Sequence, residues 1–142
     1  MSGERNNFKV GKYVYVVDWW GTSDGMQAIT VRAKILDIDV NAGTFFALLY
    51  GDTYVKYSFK DYGRLIFDTQ KEAVIATNKL PKPKTTIFQR IGKRVYKKVV
   101  KGIGSRYNDG IYDLIILLNR GQDISTKEIG HSLFLNESDA RK

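Results

Sequence analysis

The strongest constraint on this chain is that part of its sequence occurs twice. Tyr57 to Ala73 aligns without a gap on Ile124 to Ala140. Ser58 and Ser125, Lys60 and Lys127, Gly63 and Gly130, Phe67 and Phe134, and Ala73 and Ala140 are identical pairs. Asp61 with Glu128, and Glu72 with Asp139, keep their charge. Each shared feature has a physical use. Glycine admits a turn with positive φ, phenylalanine fills a core, and Thr69 or Asn136 can cap a helix whose third residue is Glu72 or Asp139. A repeat of this kind predicts two copies of one small fold rather than one larger domain, and 142 residues are enough for two very small units.

The first copy reads as β structure. A strand is expected over 9–18, a loop over 19–25 closed by Ser23-Asp24-Gly25, and a long strand over 27–40. In that long strand Ile29, Val31, Ala33 and Ile35 alternate with polar residues. The phase then slips so that Leu36, Ile38 and Val40 are apolar. A one-residue slip sends side chains to the other face, so a bulge or bend is expected at Ile35–Leu36. Strands over 44–50 and 53–58, one helical turn near Phe59, a short strand at 65–67 and a capped helix to about Leu80 complete the copy. The division is then a polar tail over 1–8, a first unit over 9–80, an irregular Pro-Lys linker over 81–84 and a second unit over 85–142.

In the second copy, 85–101 supports two readings. Strands at 87–91 and 94–103, joined at Gly92-Lys93, suit its β-branched residues and the repeat. A basic amphipathic helix suits the four-residue beat of Ile87/Phe88, Ile91, Val95/Tyr96 and Val99/Val100. Either way the cations are expected to share a surface. Asn108-Asp109-Gly110 reads as a hairpin turn and 111–118 as an apolar strand.

Charge separates the two copies. Residues 1–80 carry a net +1 and residues 81–142 a net +7. Lys82 to Arg106 holds nine cations and no acid, a field that attracts polyanions. Lysines at this density also keep exposed sheet edges from pairing. The absence of cysteine removes disulfides, thiolate metal sites and thiol nucleophiles, and His131 is the only histidine. No metal, cofactor or catalytic residue is therefore expected, and an enzyme is not. No apolar run reaches the roughly 20 residues that span a bilayer, and Met1 to Asn7 has no apolar signal core. A soluble cytoplasmic protein is expected.

The stretches Ser58-Phe59-Lys60-Asp61-Tyr62-Gly63-Arg64-Leu65-Ile66-Phe67-Asp68-Thr69-Gln70-Lys71-Glu72-Ala73 and Ser125 to Ala140 resemble the ending of small SH3-like barrel proteins of Firmicutes phages and mobile elements. That ending has the form F-x-x-E-D-x-G-K-x-V-F-L-T-x-E-E-A-E. Asp68 stands where the pattern has Leu, and Asn136 where it has Thr. The resemblance implies a mainly β fold of two tandem SH3-like barrels, with a short helix after the first, and a phage or mobile-element origin. It carries over no catalytic residue.

Candidate contact residues follow from charge and aromaticity. Arg90, Lys93, Arg94, Lys97, Lys98, Lys101 and Arg106 form a basic stretch, with Tyr96 and Tyr107 inside it. Trp19 and Trp20 are adjacent, so in a strand one would be buried and the other exposed as a contact residue. Tyr50, Tyr54, Tyr57 and Tyr62 are a weaker aromatic group, since tyrosine is also an ordinary strand residue. Asp37 and Asp39 read as a solvated strand face, and Gly102-Ile103-Gly104 lacks the residues of a phosphate loop. Two functions fit. One is binding of nucleic acid or a nucleoprotein complex through the basic copy; the other is protein-binding inhibition of a host defence nuclease, in the manner of an anti-CRISPR protein.

Overall fold

The structure, a computed structural model, describes residues 8–142. These form two compact units. The first holds residues 8–18, 29–79 and 107–112; the second holds 19–28, 80–106 and 113–142. The architecture is mainly β, a large sheet that is not closed, with few helices. In chain order the elements are β1 (Tyr13–Thr22), β2 (Gly25–Asp39), β3 (Thr44–Leu49), β4 (Thr53–Ser58), β5 (Ile66–Phe67) and helix α1 (Gln70–Asn78). Then come β6 (Thr86–Ile91), β7 (Arg94–Asn108), β8 (Ile111–Leu118), β9 (Asp123–Ser125), β10 (Leu133–Phe134) and the one-turn helix α2 (Glu137–Ala140).

The repeated sequence is repeated structure. Single 3-10 turns occupy Phe59–Asp61 and Thr126–Glu128. Ser58 Oγ accepts from Lys60 N, and Ser125 Oγ from Lys127 N, each at 3.2 Å. Gly63 and Gly130 take φ of 86° and 88°, and their amides donate to Ile66 and Leu133 at 2.8 and 2.7 Å. β5 pairs antiparallel with β1, and β10 with β6. Thr69 and Asn136 cap α1 and α2 by accepting from the amides of Glu72 and Asp139. Four strands, a 3-10 turn, a short strand and a capped helix thus follow one another twice, the second time with an extra 3-10 turn at Asn119–Gly121 between β8 and β9.

In the first unit, β2, β3 and β4 form an antiparallel ladder. Its register shifts between Ile35 and Asp37, placing the extra residue at Leu36 as the phase slip requires. One face buries Ala33, Ile35, Phe45, Ala47, Leu49, Val55 and Tyr57 with Val14 and Val16 of β1. Each large side chain so buried contributes on the order of 2 kcal/mol. Phe8, expected in the polar tail, belongs to this core: it is 5% exposed, stacks on Phe59 and lies tilted against Phe45. The rest of that tail lies outside the described residues. Asp68, where the barrel pattern has Leu, accepts from Lys12 Nζ at 2.8 Å and from the Tyr62 hydroxyl. Partial burial acts to raise its carboxyl, but these two hydrogen bonds and the Lys12 charge hold it below the ordinary value.

In the second unit, β6 and β7 form a hairpin turned at Gly92-Lys93. Within 85–101 the chain is therefore two strands, 86–91 and 94–101, and the helical reading is set aside. β-branched residues lose side-chain freedom in a helix, and Gly92, at φ 61°, sits where the hairpin turns. Ile87, Val100, Ile103, Leu114, Ile116, Leu118 and Leu133 make the core.

Two expectations are corrected. The loop expected over Trp19–Gly25 is largely strand: β1 continues to Thr22 and turns only at Ser23-Asp24. The tip of this hairpin, 19–28, also groups with the second unit. The segment 81–84 is not a free linker. Pro81 and Pro83 are buried, Lys82 and Lys84 are exposed, and the Lys84 amide donates to Val100 at 2.8 Å.

The hairpin tip is held by two glycines. Met26 of β2 pairs in parallel with Gly102 of β7. A Cβ on Gly102 would lie 2.7 Å from the Met26 carbonyl oxygen, and one on Gly25 2.7 Å from that of Lys101. Real Cβ atoms do not come so close, so the approach requires glycine at both positions.

Candidate nucleic-acid interface

The second unit holds 13 of the 23 cationic residues against six of the 15 acids, and so carries +7 of the net +8. Its cations concentrate on the β6–β7 hairpin. Lys93 lies at the turn, exposed, and Arg94, Lys97 and Lys101 are exposed along β7. None of these four pairs with a carboxylate among the described residues.

The expected single surface is split by the period of the strand, because successive side chains point to opposite faces. Lys97 lies opposite Phe88, and Lys98 opposite Ile87. Lys97 and Lys101 therefore share one face. Arg94, Tyr96 and Lys98 share the other, with Lys98 Nζ 5.9 Å from the Tyr96 ring centre. The two faces are a strand's thickness apart, within the roughly 10 Å over which charges act through 0.1 M salt. The potential is shared although the surface is not.

Other predicted residues have structural duties. The Arg90 guanidinium lies 4.9 Å from the Phe134 ring centre and donates to the carbonyls of Ala140 and His131 at 3.3 and 3.4 Å. Arg90 thus pins the end of the repeated motif. Arg106 is 3.0 Å from Asp123, so its charge is compensated locally. The Trp19 indole N–H donates to Ser105 Oγ at 3.0 Å. Trp20 is 61% exposed, as alternation requires. Both tryptophans belong to the same unit as the cations.

A cleft of about 570 Å³ opens beside the β6–β7 turn, lined by Arg90, Lys93, Val95, Ala140, Arg141 and Lys142. Its lining is cationic, with Lys93 lacking a carboxylate partner among the described residues. Arg141 and Lys142 there also pair with Glu137 and Asp139 at 2.8 and 3.3 Å. These two cations escaped sequence reasoning because they lie far from the basic stretch in the chain. Only the pairing of β10 with β6 brings the final turn beside the hairpin.

The tyrosine group of the first unit divides by environment. Tyr57 is fully buried, and its hydroxyl has no hydrogen-bond partner among the described residues. Burial first, and the Asp18 charge second, push its pKa well above the ordinary value. Tyr50 donates to Asp18 at 3.0 Å, and burial with the Asp18 charge pushes it up to about 12. Tyr62 is committed to Asp68. Tyr54 is the most exposed of the four, at 66%, and no hydrogen bond of its hydroxyl is seen among the described residues. Asp39 accepts from the Ala42 amide at 3.0 Å. Among the described residues no three His, Cys, Asp or Glu side chains cluster as metal ligands, and no helix is long and apolar enough to cross a membrane.

No protein-family model, curated protein or solved structure matches this chain.

Proposed function

We propose that the chain is a non-enzymatic binding protein of phage or mobile-element origin, acting in the host cytoplasm, that engages nucleic acid or a nucleoprotein complex through its basic second unit. Each unit is read as a copy of one SH3-like barrel, supported by the duplicated order of strands, 3-10 turn and cap. The observation that carries the functional reading is the set Lys93, Arg94, Lys97 and Lys101, exposed on one hairpin without carboxylate partners among the described residues. Such cations gain affinity by displacing counterions from phosphates, with little sequence preference. The cleft beside Arg90 offers a seat for one phosphate.

The test is fluorescence anisotropy of a labelled oligonucleotide at low salt, with variants that separate the two faces. Lys97→Glu with Lys101→Glu reverses one face; Arg94→Glu with Lys98→Glu reverses the other. Loss of binding in either pair supports the proposal and identifies the contacting face. Binding unchanged in both pairs refutes it. The second reading, inhibition of a host nuclease, rests on Trp20, since an exposed tryptophan is a favoured protein-binding hot spot. Capture of a host protein that Trp20→Ala abolishes, with no nucleic-acid binding at low salt, would establish that reading.

A further inference from the structure

The outer face of the β2–β3–β4 ladder in the first unit has a composition that the basic hairpin does not explain. Sheet faces turned to water are ordinarily polar. Here Tyr13, Phe46 and Tyr54 are 47%, 41% and 66% exposed. Cross-strand pairing arranges the residues of this face in rows. Lys34, Leu48 and Tyr54 lie side by side across the three strands, and Asp37, Phe46 and Lys56 form the next row. Lys56 Nζ sits 5.9 Å from the Phe46 ring centre, and the Arg32 guanidinium 4.4 Å from that of Tyr13. Three exposed rings thus alternate with Arg32, Lys34 and Lys56, against Asp37 as the acid of these rows. Among the described residues β4 pairs only with β3, so this face runs out to a sheet edge.

We infer that this face is a base-stacking platform for single-stranded nucleic acid. An unpaired base presents a flat π-face to an aromatic ring, and its phosphate falls beside the cations. In a duplex the bases are stacked on one another and cannot reach the rings. A protein partner is the less favoured occupant, because the rings are separated by cations rather than gathered into one apolar patch. The platform goes beyond the cationic hairpin and shares with it only the premise that the ligand is nucleic acid. It gives the first unit, whose net charge is +1, its own part in binding.

The probe is fluorescein-labelled oligothymidylate of about 16 nucleotides, near the upper site size for a single small barrel, set beside a duplex of equal length. Phe46→Ala with Tyr54→Ala is expected to weaken single-strand binding about thirtyfold or more, leave duplex affinity within about twofold and leave the salt dependence unchanged. Tyr54→Phe, which keeps the ring, should bind as the unaltered chain does. The Tyr54 ring resonances should shift when the oligothymidylate is added and stay in place when the duplex is added. Circular dichroism confirms folding, which both exposed positions should tolerate. If the double variant binds oligothymidylate as the unaltered chain does, the inference is overturned, and the basic hairpin still stands if its own charge reversals abolish binding. If the ring variants lose single-strand binding while the charge reversals do not, the platform stands and the hairpin reading falls. No binding of oligothymidylate by the unaltered chain at low salt sinks the platform.

Discussion

Replacing Gly102 by alanine probes the seam that holds the tryptophan hairpin in the second unit. Gly102 has φ of 156°, and an added Cβ would sit 2.7 Å from the Met26 carbonyl oxygen and 2.9 Å from its nitrogen. Both obstacles are backbone, so no side chain can rotate to make room. An L-residue at such a φ costs about 1–2 kcal/mol. Moving the strands apart also weakens the bridge hydrogen bonds, worth about 1 kcal/mol each. Gly102→Ala should therefore destabilise the chain by about 2–4 kcal/mol, a large part of the roughly 5–15 kcal/mol a domain possesses. Gly92→Ala is the control. Gly92 has φ of 61° and nothing within 4 Å of its added Cβ, so only the conformational cost of about 1 kcal/mol applies. Urea denaturation followed by Trp fluorescence measures both. Equal losses for the two variants would refute the close approach, and with it the placement of Trp19 and Trp20 beside β7.

Two further outcomes test the packing and electrostatics. Ser58→Ala removes a turn cap and should cost about 1 kcal/mol. Ser125→Ala should cost about 2–3 kcal/mol, because Ser125 Oγ also donates to buried Asp113 at 2.6 Å; equal losses in urea denaturation would contradict the buried contact. Tyr50, pushed up to about 12, and Tyr57, pushed well above the ordinary value of 10 by burial, keep their protons in the native state above that value. Between pH 10 and 12 the unfolded chain loses protons that these residues retain when folded, so stability should fall as pH rises through that range. Tyr57→Phe should reduce the fall, and an alkaline denaturation profile unchanged by that substitution would count against the burial of its hydroxyl.

Features written in consecutive residues were legible before any coordinates. The slip from Ile35 to Leu36 marked the bulge, Asn108-Asp109-Gly110 the hairpin turn, and the matched Ser, Gly and cap residues the duplicated motif. What the sequence hid depends on partners distant in the chain. Alternation shows that Trp19 and Trp20 point opposite ways, but not that Ser105 receives the Trp19 indole. A dense run of cations does not show that Lys97 and Lys98 face apart, because that follows only once the segment is known to be a strand. Pro81 and Pro83 read as a linker since proline resists regular structure, yet proline is also an apolar ring and both are buried. Tyrosine and phenylalanine are ordinary in strands, and only the cross-strand register places Phe46 and Tyr54 on the solvent face with Lys34 and Lys56.

The salt dependence of binding tests the central claim most directly. If Lys93, Arg94, Lys97 and Lys101 neutralise phosphates, the logarithm of the binding constant for a duplex should fall against log salt with a slope of about −3 to −4. Changing all four to glutamine should flatten that slope to about −1, the share of the cleft beside Arg90, while the chain stays folded. A slope left unchanged by the four substitutions would place the binding charge elsewhere and contradict the account.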